Sequence, residues 1–225
     1  MKSNIFIVIP AFNEEKKIGE VVGEVKSNGF DQIIVVDDGS ADDTLNEIKR
    51  AGALALRHKI NRGKGAAVKT GIEAAKILGA EEVVTMDGDG QHNPADIKSM
   101  LRKIEKGNDV ILGSRLMNKK GMPFVKVLYN HVGNFLTWYL NGLWVTDSQS
   151  GFRAYSQKAL ELIDTRSDRY EYDSEVIREI YRHQLKYVEV PIEVRYTDYS
   201  MGKVEKQGFL NGLKTIYRMI WSLLS

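Results

Sequence analysis

Short β-branched apolar runs recur at Ile5–Ile9, Gln32–Val36, Ala53–Leu56, Val83–Met86 and Val110–Leu112, and the stretches between them read as helices at 14–27, 42–50, 63–78 and 94–106. In the first of these helices Ile18, Val21, Val22 and Val25 return at helical spacing. Ser40, with Asp43 three residues on, is the expected N-cap of the second. Asn93 is the expected N-cap of the fourth, with Pro94 at its first position. Such alternation implies an α/β fold: a parallel sheet covered by helices and joined by right-handed crossovers. Ligands then bind beyond the carboxyl ends of the strands.

The alternation stops after residue 115. Phe124–Val145 is an aromatic-rich helical stretch, 147–153 is a loop by composition, and Asp173–His183 reads as a helix. Tyr187–Tyr196 reads as a strand that Pro191 confines to a sheet edge or breaks, and Phe209–Leu224 reads as a closing helix. With no repeat, low-complexity tract or linker, one domain spanning 1–225 is expected.

Composition removes several classes of function. The 32 Lys and Arg against 30 Asp and Glu leave a net charge of +2, which argues against a nucleic-acid binder. Cysteine is absent, so disulfides, thiolate metal sites and Cys nucleophiles are excluded. The apolar run before Pro10 is too short for a signal-peptide core, and no window offers the roughly 18 uninterrupted apolar residues of a spanning helix. The expectation is a cytoplasmic protein, soluble or peripheral.

Acidic groups collect where the strands end. In VVTMDGDGQH, Asp87 and Asp89 leave the strand on the same side, since alternate residues point the same way. Carboxylates this close repel unless a cation, proton or donor-rich ligand joins them, and oxygen donors select Mg²⁺, Mn²⁺ or Ca²⁺. Gln91 or His92 could complete the set. An EF-hand loop is excluded, because its Gly and Glu positions hold His92 and Lys98. In IIVVDDGSADDT, Asp37 or Asp38 could accept from ribose hydroxyls or a base N–H, or could serve turn geometry. NRGKGAAVKTG is glycine-rich and basic at a helix start. It fails the P-loop pattern, and the choice between nucleotide contact and tight helix packing stays open. Arg115, Arg153, Arg195 and Lys203 are the candidate countercharges.

Together these strings resemble the family 2 glycosyltransferases, which adopt the GT-A nucleotide-diphospho-sugar fold, a three-layer αβα sandwich with a mostly parallel sheet. IPAFNEE, VVDDGSADDT, MDGDGQH, GSR and DSQSGFR occur in that family's order over most of residues 4–153. VPIEVRY and YSMGK extend the likeness toward the polyprenyl (dolichyl) phosphate mannosyl- and glucosyltransferases. The resemblance implies donor contacts from Pro10, Phe12, Glu14, Val36, Asp38, Met86, Asp87, Gly88 and Asp89, with Arg115, Arg195 and Lys203 neutralising phosphates. It implies Mg²⁺ or Mn²⁺ on Asp87, Asp89 and Gln91, an acceptor phosphate at Ser150 and Arg153, and catalytic roles for Asp89, Arg115 and Arg153. The central string is Asp-Gly-Asp where mannosyltransferases often carry Asp-Ala-Asp, and Phe12 stands where Tyr is frequent.

The reaction this implies is inverting transfer from GDP-mannose or a UDP-hexose to a polyprenyl phosphate, with 1–115 as the donor half and 116–225 as the acceptor half. An anionic acceptor needs no strong base. A saccharide hydroxyl would need one, and Asp173 or Glu175 would supply it. A non-catalytic sugar-nucleotide binder is the third reading. The three Trp lie in the two late helical stretches, which suits either peripheral attachment to the cytoplasmic membrane face or packing, including packing between copies of the chain.

Overall fold

The computed structural model of the protein describes residues 4–118, 134–135, 137–139, 142–169 and 171–195. Within them lie strands β1 (Ile5–Ala11), β2 (Ile33–Asp37), β3 (Leu54–Arg57), β4 (Glu82–Thr85), β5 (Val110–Ser114), β6 (Arg153–Ser156) and β7 (Tyr187–Pro191). The helices are α1 (Ile18–Ser27), α2 (Thr44–Arg50), α3 (Lys64–Ile77), α4 (Ile97–Glu105), α5 (Gln157–Leu162) and α6 (Glu171–Arg182). The strands form one sheet in the order β3-β2-β1-β4-β6-β5-β7. All pairings are parallel except those of β6, which runs antiparallel to both β4 and β5.

The core divides by strand alternation. Ile7, Ile9, Ile33, Val35, Val84 and Ile111 point to one face and meet Ile18, Val22 and Val25 of α1, Ile48 of α2 and Met100 of α4. Their neighbours Phe6, Val8, Ile34, Val36, Val83 and Val110 point to the other and meet Ala67 and Val68 of α3, Leu160 of α5 and Ile177 of α6. Burying each large aliphatic side chain contributes roughly 1.5–3 kcal/mol, so two such layers commit the chain to an αβα sandwich. α3 sits especially close to the sheet: a Cβ at Gly71 would collide with Val8 Cγ1, so this helical glycine is a packing requirement.

β1 lies between β2 and β4. The first crossover therefore leaves β1 on one side and a later one returns on the other, which opens a crevice at the carboxyl ends of β1 and β4. Asp87 lies two residues past the end of β4 at this crevice, and a Cβ on Gly88 would stand 3.0 Å from the Pro10 carbonyl oxygen.

Three local expectations change. α2 begins at Thr44, and Ser40 is not its cap. The Ser40 hydroxyl accepts from the Asn13 N–H at 2.9 Å, and its own N–H donates to Asp37 Oδ1 at 2.8 Å. The fourth helix opens with a 3-10 turn at Pro94–Asp96, with Asn93 accepting from the Ala95 N–H at 3.1 Å as expected. The expected loop 147–153 ends in a strand. Arg-Ala-Tyr-Ser has no apolar run to announce β6, but β4 and β5 hold it on both sides. β7 does lie at the sheet edge, with Pro191 as its last residue. No helix among the described residues is long and apolar enough to cross a membrane. Phe209–Leu224 and much of Phe124–Val145 lie outside them.

Candidate active site

Four charged side chains from four elements meet beside the β1–β4 crevice. Asp87, just past β4, receives the Lys64 ammonium at 2.8 Å. Lys64, the first residue of α3, also lies 3.6 Å from Asp173 Oδ2 in the first turn of α6. The other oxygen of Asp173 stands 3.4 Å from Arg153 Nη2, at the start of β6. Signs alternate along this chain, so each charge is compensated. Burial opposes ionisation of Asp87, yet the Lys64 ammonium outweighs it and holds the carboxyl down at about 2. Burial likewise opposes the Lys64 charge, while Asp173 and Asp87 overcome it and raise the ammonium above its ordinary range.

That depression has a measurable sign. An unfolded Asp titrates near 3.9, so the Asp87 contribution to stability is complete above about pH 4 and is lost as pH falls through about 2. In Lys64→Met the carboxylate loses its cation and the depression with it, so the variant should melt below the parent at neutral pH, and the gap between the two melting temperatures should narrow as pH falls from about 4 to about 2.

Asp89 stands two residues further along the same turn. Its carboxylate accepts from the Gln91 N–H at 3.0 Å and from Gln91 Nε2 at 2.6 Å. His92 closes the turn: its Nδ1 accepts from the Asp87 N–H at 3.2 Å, and its ring stacks on Phe152 at 4.9 Å. Burial pushes the His92 imidazole below its ordinary pKa and so favours the neutral form that this hydrogen bond requires.

The string 147–153 approaches from the far side. A Cβ at Gly151 would overlap Lys64 Nζ and lie 2.9 Å from Asp87 Oδ1, so the backbone of this loop runs close against the Lys64–Asp87 pair. Arg115, just past β5, forks onto Asp147 with Nε and Nη2 each at 2.7 Å, and its N–H adds a third bond at 2.9 Å. Arg153 is 1% exposed; it donates to the carbonyls of Ser148, Ser150 and Asp173 at 2.9–3.0 Å. Ser150 is buried too.

The remaining candidates scatter around this centre. Pro10 lies at the crevice and Phe12 is 44% exposed just beyond β1. Glu14 is buried, its N–H donating to Thr44 Oγ1 at 2.8 Å. Val36 and Met86 bury their side chains in opposite faces of the core, which leaves their backbone as what a ligand could touch. Asp38 accepts from the Arg62 N–H at 3.0 Å and the Gly63 N–H at 2.7 Å, and pairs with His58 Nδ1 at 2.7 Å; its carboxylate thus anchors the loop leading into Lys64. Arg195 pairs with Glu24 of α1. Lys203 lies outside the described residues.

Lys64 and Asp147 are the residues that sequence reasoning did not place. The signal for Lys64 was there in RGKG, a cation preset at a helix start, but the glycines of that string also serve packing, and spacing could not separate the two uses. Asp147 opens the DSQSGFR string, yet its partner Arg115 is 32 residues away.

Two carboxylates and an amide offer hard oxygen donors in the number that leaves room for phosphate oxygens and water around a dication. The lysine seated on Asp87 demonstrates that this position accepts positive charge. Among the described residues no group of three His, Cys, Asp or Glu is placed to hold a metal.

The model described as Glycosyl transferase family 2 matches residues 6–163. A UDP-N-acetylglucosamine–dolichyl-phosphate N-acetylglucosaminyltransferase of Methanococcus voltae is 38% identical over 96% of this chain and 94% of its own. A polyprenol monophosphomannose synthase of Mycolicibacterium smegmatis is 29% identical over 90% and 80%. Among solved structures, glucosyl-3-phosphoglycerate synthase of Mycobacterium tuberculosis, crystallised with Mn²⁺, UDP and glucosyl-3-phosphoglycerate, superposes with a TM-score of 0.69 over 96% of this chain and 80% of that one, at 19% identity. At that identity the likeness establishes the GT-A fold alone.

Proposed function

The chain belongs to glycosyl transferase family 2, and from that membership we propose that it transfers a sugar, with inversion, from a nucleoside diphosphate carrier to a polyprenyl phosphate. The observation that carries this reading is the Lys64 ammonium seated on Asp87, two residues before Asp89, at the β1–β4 crevice, where a diphosphate and its dication would meet both acidic oxygens and a cation. A UDP-activated sugar is the first donor to test, since the Methanococcus voltae relative is named for one; GDP-mannose is the second.

In this mechanism Asp87, Asp89 and the Gln91 side chain would hold Mg²⁺ or Mn²⁺. When bound, the dication stabilises the negative charge developing on the departing diphosphate, an effect of several kcal/mol. Lys64 moves from Asp87 onto a phosphate oxygen while Asp173 keeps it close. Pro10, Phe12 and Glu14 border the base and ribose, and Asp38 fixes the adjoining loop. Arg115, forked on Asp147, and Arg153, braced on the Ser148 and Ser150 carbonyls, shape the acceptor side.

The acceptor phosphate oxygen is anionic at neutral pH and attacks without losing a proton. The two carboxylates that a hydroxyl acceptor would call on are engaged elsewhere. Glu175 accepts from the Arg166 and Ser167 N–H groups at 3.0 and 2.7 Å, and Asp173 lies between Lys64 and Arg153. That occupancy favours the phosphate acceptor over a saccharide hydroxyl. Residues 1–115 would serve the donor and 116–225 the acceptor. Exposed Phe135, Trp138, Tyr139 and Trp144 fit peripheral attachment at a bilayer surface, where such an acceptor resides.

Radiolabelled UDP-N-acetylglucosamine, UDP-glucose and GDP-mannose, each incubated with Mn²⁺ and polyprenyl phosphate, test the proposal. Label should enter the organic phase with one of them. Label confined to water-soluble glycan, or tight binding without turnover, would overturn it.

A further inference from the structure

The chain leaving β7 is laid across the loop that follows Asp89. Ile192 is buried, and its N–H donates to the Ser114 carbonyl at 3.2 Å. The Glu193 N–H donates to Asp96 Oδ2 at 2.9 Å, and its carboxylate accepts from Asn93 Nδ2 at 3.0 Å. Val194 forms an antiparallel bridge with His92, and the Arg195 N–H donates to the Gln91 carbonyl at 2.9 Å. Residues 192–195 thus form a strap over residues 91–96.

α1 borders the same loop from its other side. A Cβ at Gly88 would touch Ile18 at 3.3 Å, and one at Gly90 would touch Val21 at 3.7 Å. Glu24 continues this row one helical step on, since residues three apart share a helix face. There the Arg195 guanidinium meets it: Nη1 lies 2.7 and 2.8 Å from the two Glu24 oxygens, and Nη2 reaches Asn93 Oδ1 at 3.4 Å. One ion pair joining residues 171 positions apart therefore closes a ring around the Asp-Gly-Asp-Gly-Gln-His turn.

We propose that Glu24 and Arg195 are positioning residues, a clasp that pins the strap onto the loop and so holds Gln91 and His92 where the donor-side metal needs them. Their action is indirect: the Arg195 N–H holds the Gln91 carbonyl, and the bridge at Val194 holds His92, whose ring in turn accepts from the Asp87 N–H. The proposal rests on the metal-assisted transfer argued above as far as its effect on metal binding goes, and on geometry alone as far as the loop goes. Both side chains are about a third to two-fifths exposed, so the effect is modest, about two- to fivefold.

The test uses Glu24→Gln, Arg195→Gln and the exchanged pair Glu24→Arg with Arg195→Glu in the full chain, with two readouts. Hydrogen exchange without ligand should show the Glu193 and Arg195 amides exchanging about two- to fivefold faster in each single variant, with the melting temperature within about 2 °C of the parent and protection regained in the exchanged pair. Free Mn²⁺, followed by its electron paramagnetic resonance signal in the presence of UDP, should show binding weakened about two- to fivefold in both single variants and restored in the exchanged pair.

Unchanged amide exchange in Glu24→Gln would overturn the clasp. So would weaker Mn²⁺ binding in Arg195→Gln alone, which would assign Arg195 to the diphosphate instead. A parent protein that takes up no Mn²⁺ with either UDP or GDP would contradict the proposed function, and amide exchange would still decide the clasp.

Discussion

Replacing Asp89 with Ala is expected to lower sugar transfer by at least about 10²-fold, because a metal-stabilised leaving group is worth several kcal/mol and each 1.4 kcal/mol is tenfold in rate. The carboxylate also accepts two hydrogen bonds from Gln91, so the Ala variant disturbs the turn as well as the charge. Asp89→Asn separates the two effects. Its amide oxygen still accepts from the Gln91 N–H but carries no charge, so the melting temperature should stay near the parent's while transfer falls as in Asp89→Ala. Initial rates of label entering the lipid fraction, measured across a Mn²⁺ series, check this. An Asn variant within tenfold of the parent would take Asp89 out of the reaction.

Arg153→Ala should be the most destabilising change in the site. Its guanidinium is buried, binds three carbonyls and lies beside Asp173, so truncation strands acceptors and leaves a buried carboxylate short of one cation. Removing one partner of such a pair costs about 3 kcal/mol at the lower end, which for a chain of this size is a fall in melting temperature of about 6–12 °C. Arg153→Lys should recover only part of this, because an ammonium cannot reproduce the planar fork. The resemblance to the family implies Arg153 on the acceptor phosphate; in the structure it is buried and donates to the Ser148 and Ser150 carbonyls, and we propose that it acts by holding Ser148–Ser150 in shape. A variant that melts like the parent but needs far more acceptor would restore the direct contact.

How far the sequence could be read follows from what each element depends on. β1, β2, β4 and α1 carry their own burial pattern, and Ile18, Val21, Val22 and Val25 point inward because their spacing alone demands it. Asp87 and Asp89 were legible for the same reason: a strand that must be buried delivers them to its end. β6 was not legible, since Arg153, Ala154 and Tyr155 are held between strands whose partner residues lie 41 to 72 positions earlier in the chain, with no apolar run of their own. The Arg153–Asp173–Lys64–Asp87 chain belongs to this second kind. Each residue looks like an ordinary surface charge in isolation, and only the sheet order brings α3, α6 and β6 together. Arg195 illustrates the converse: its place after a strand suggests a phosphate contact, and no spacing in the sequence announces the pair it makes with a distant glutamate on α1.

The proposed transfer requires the β1–β4 crevice to bind a dication and a diphosphate together. Isothermal titration of the purified protein with UDP and with GDP, each with and without Mn²⁺, measures that coupling directly. One nucleotide should bind at least about tenfold more tightly with the metal, and Asp89→Asn should abolish the difference. Equal affinity with and without Mn²⁺ for both nucleotides, or no heat from either, would contradict it.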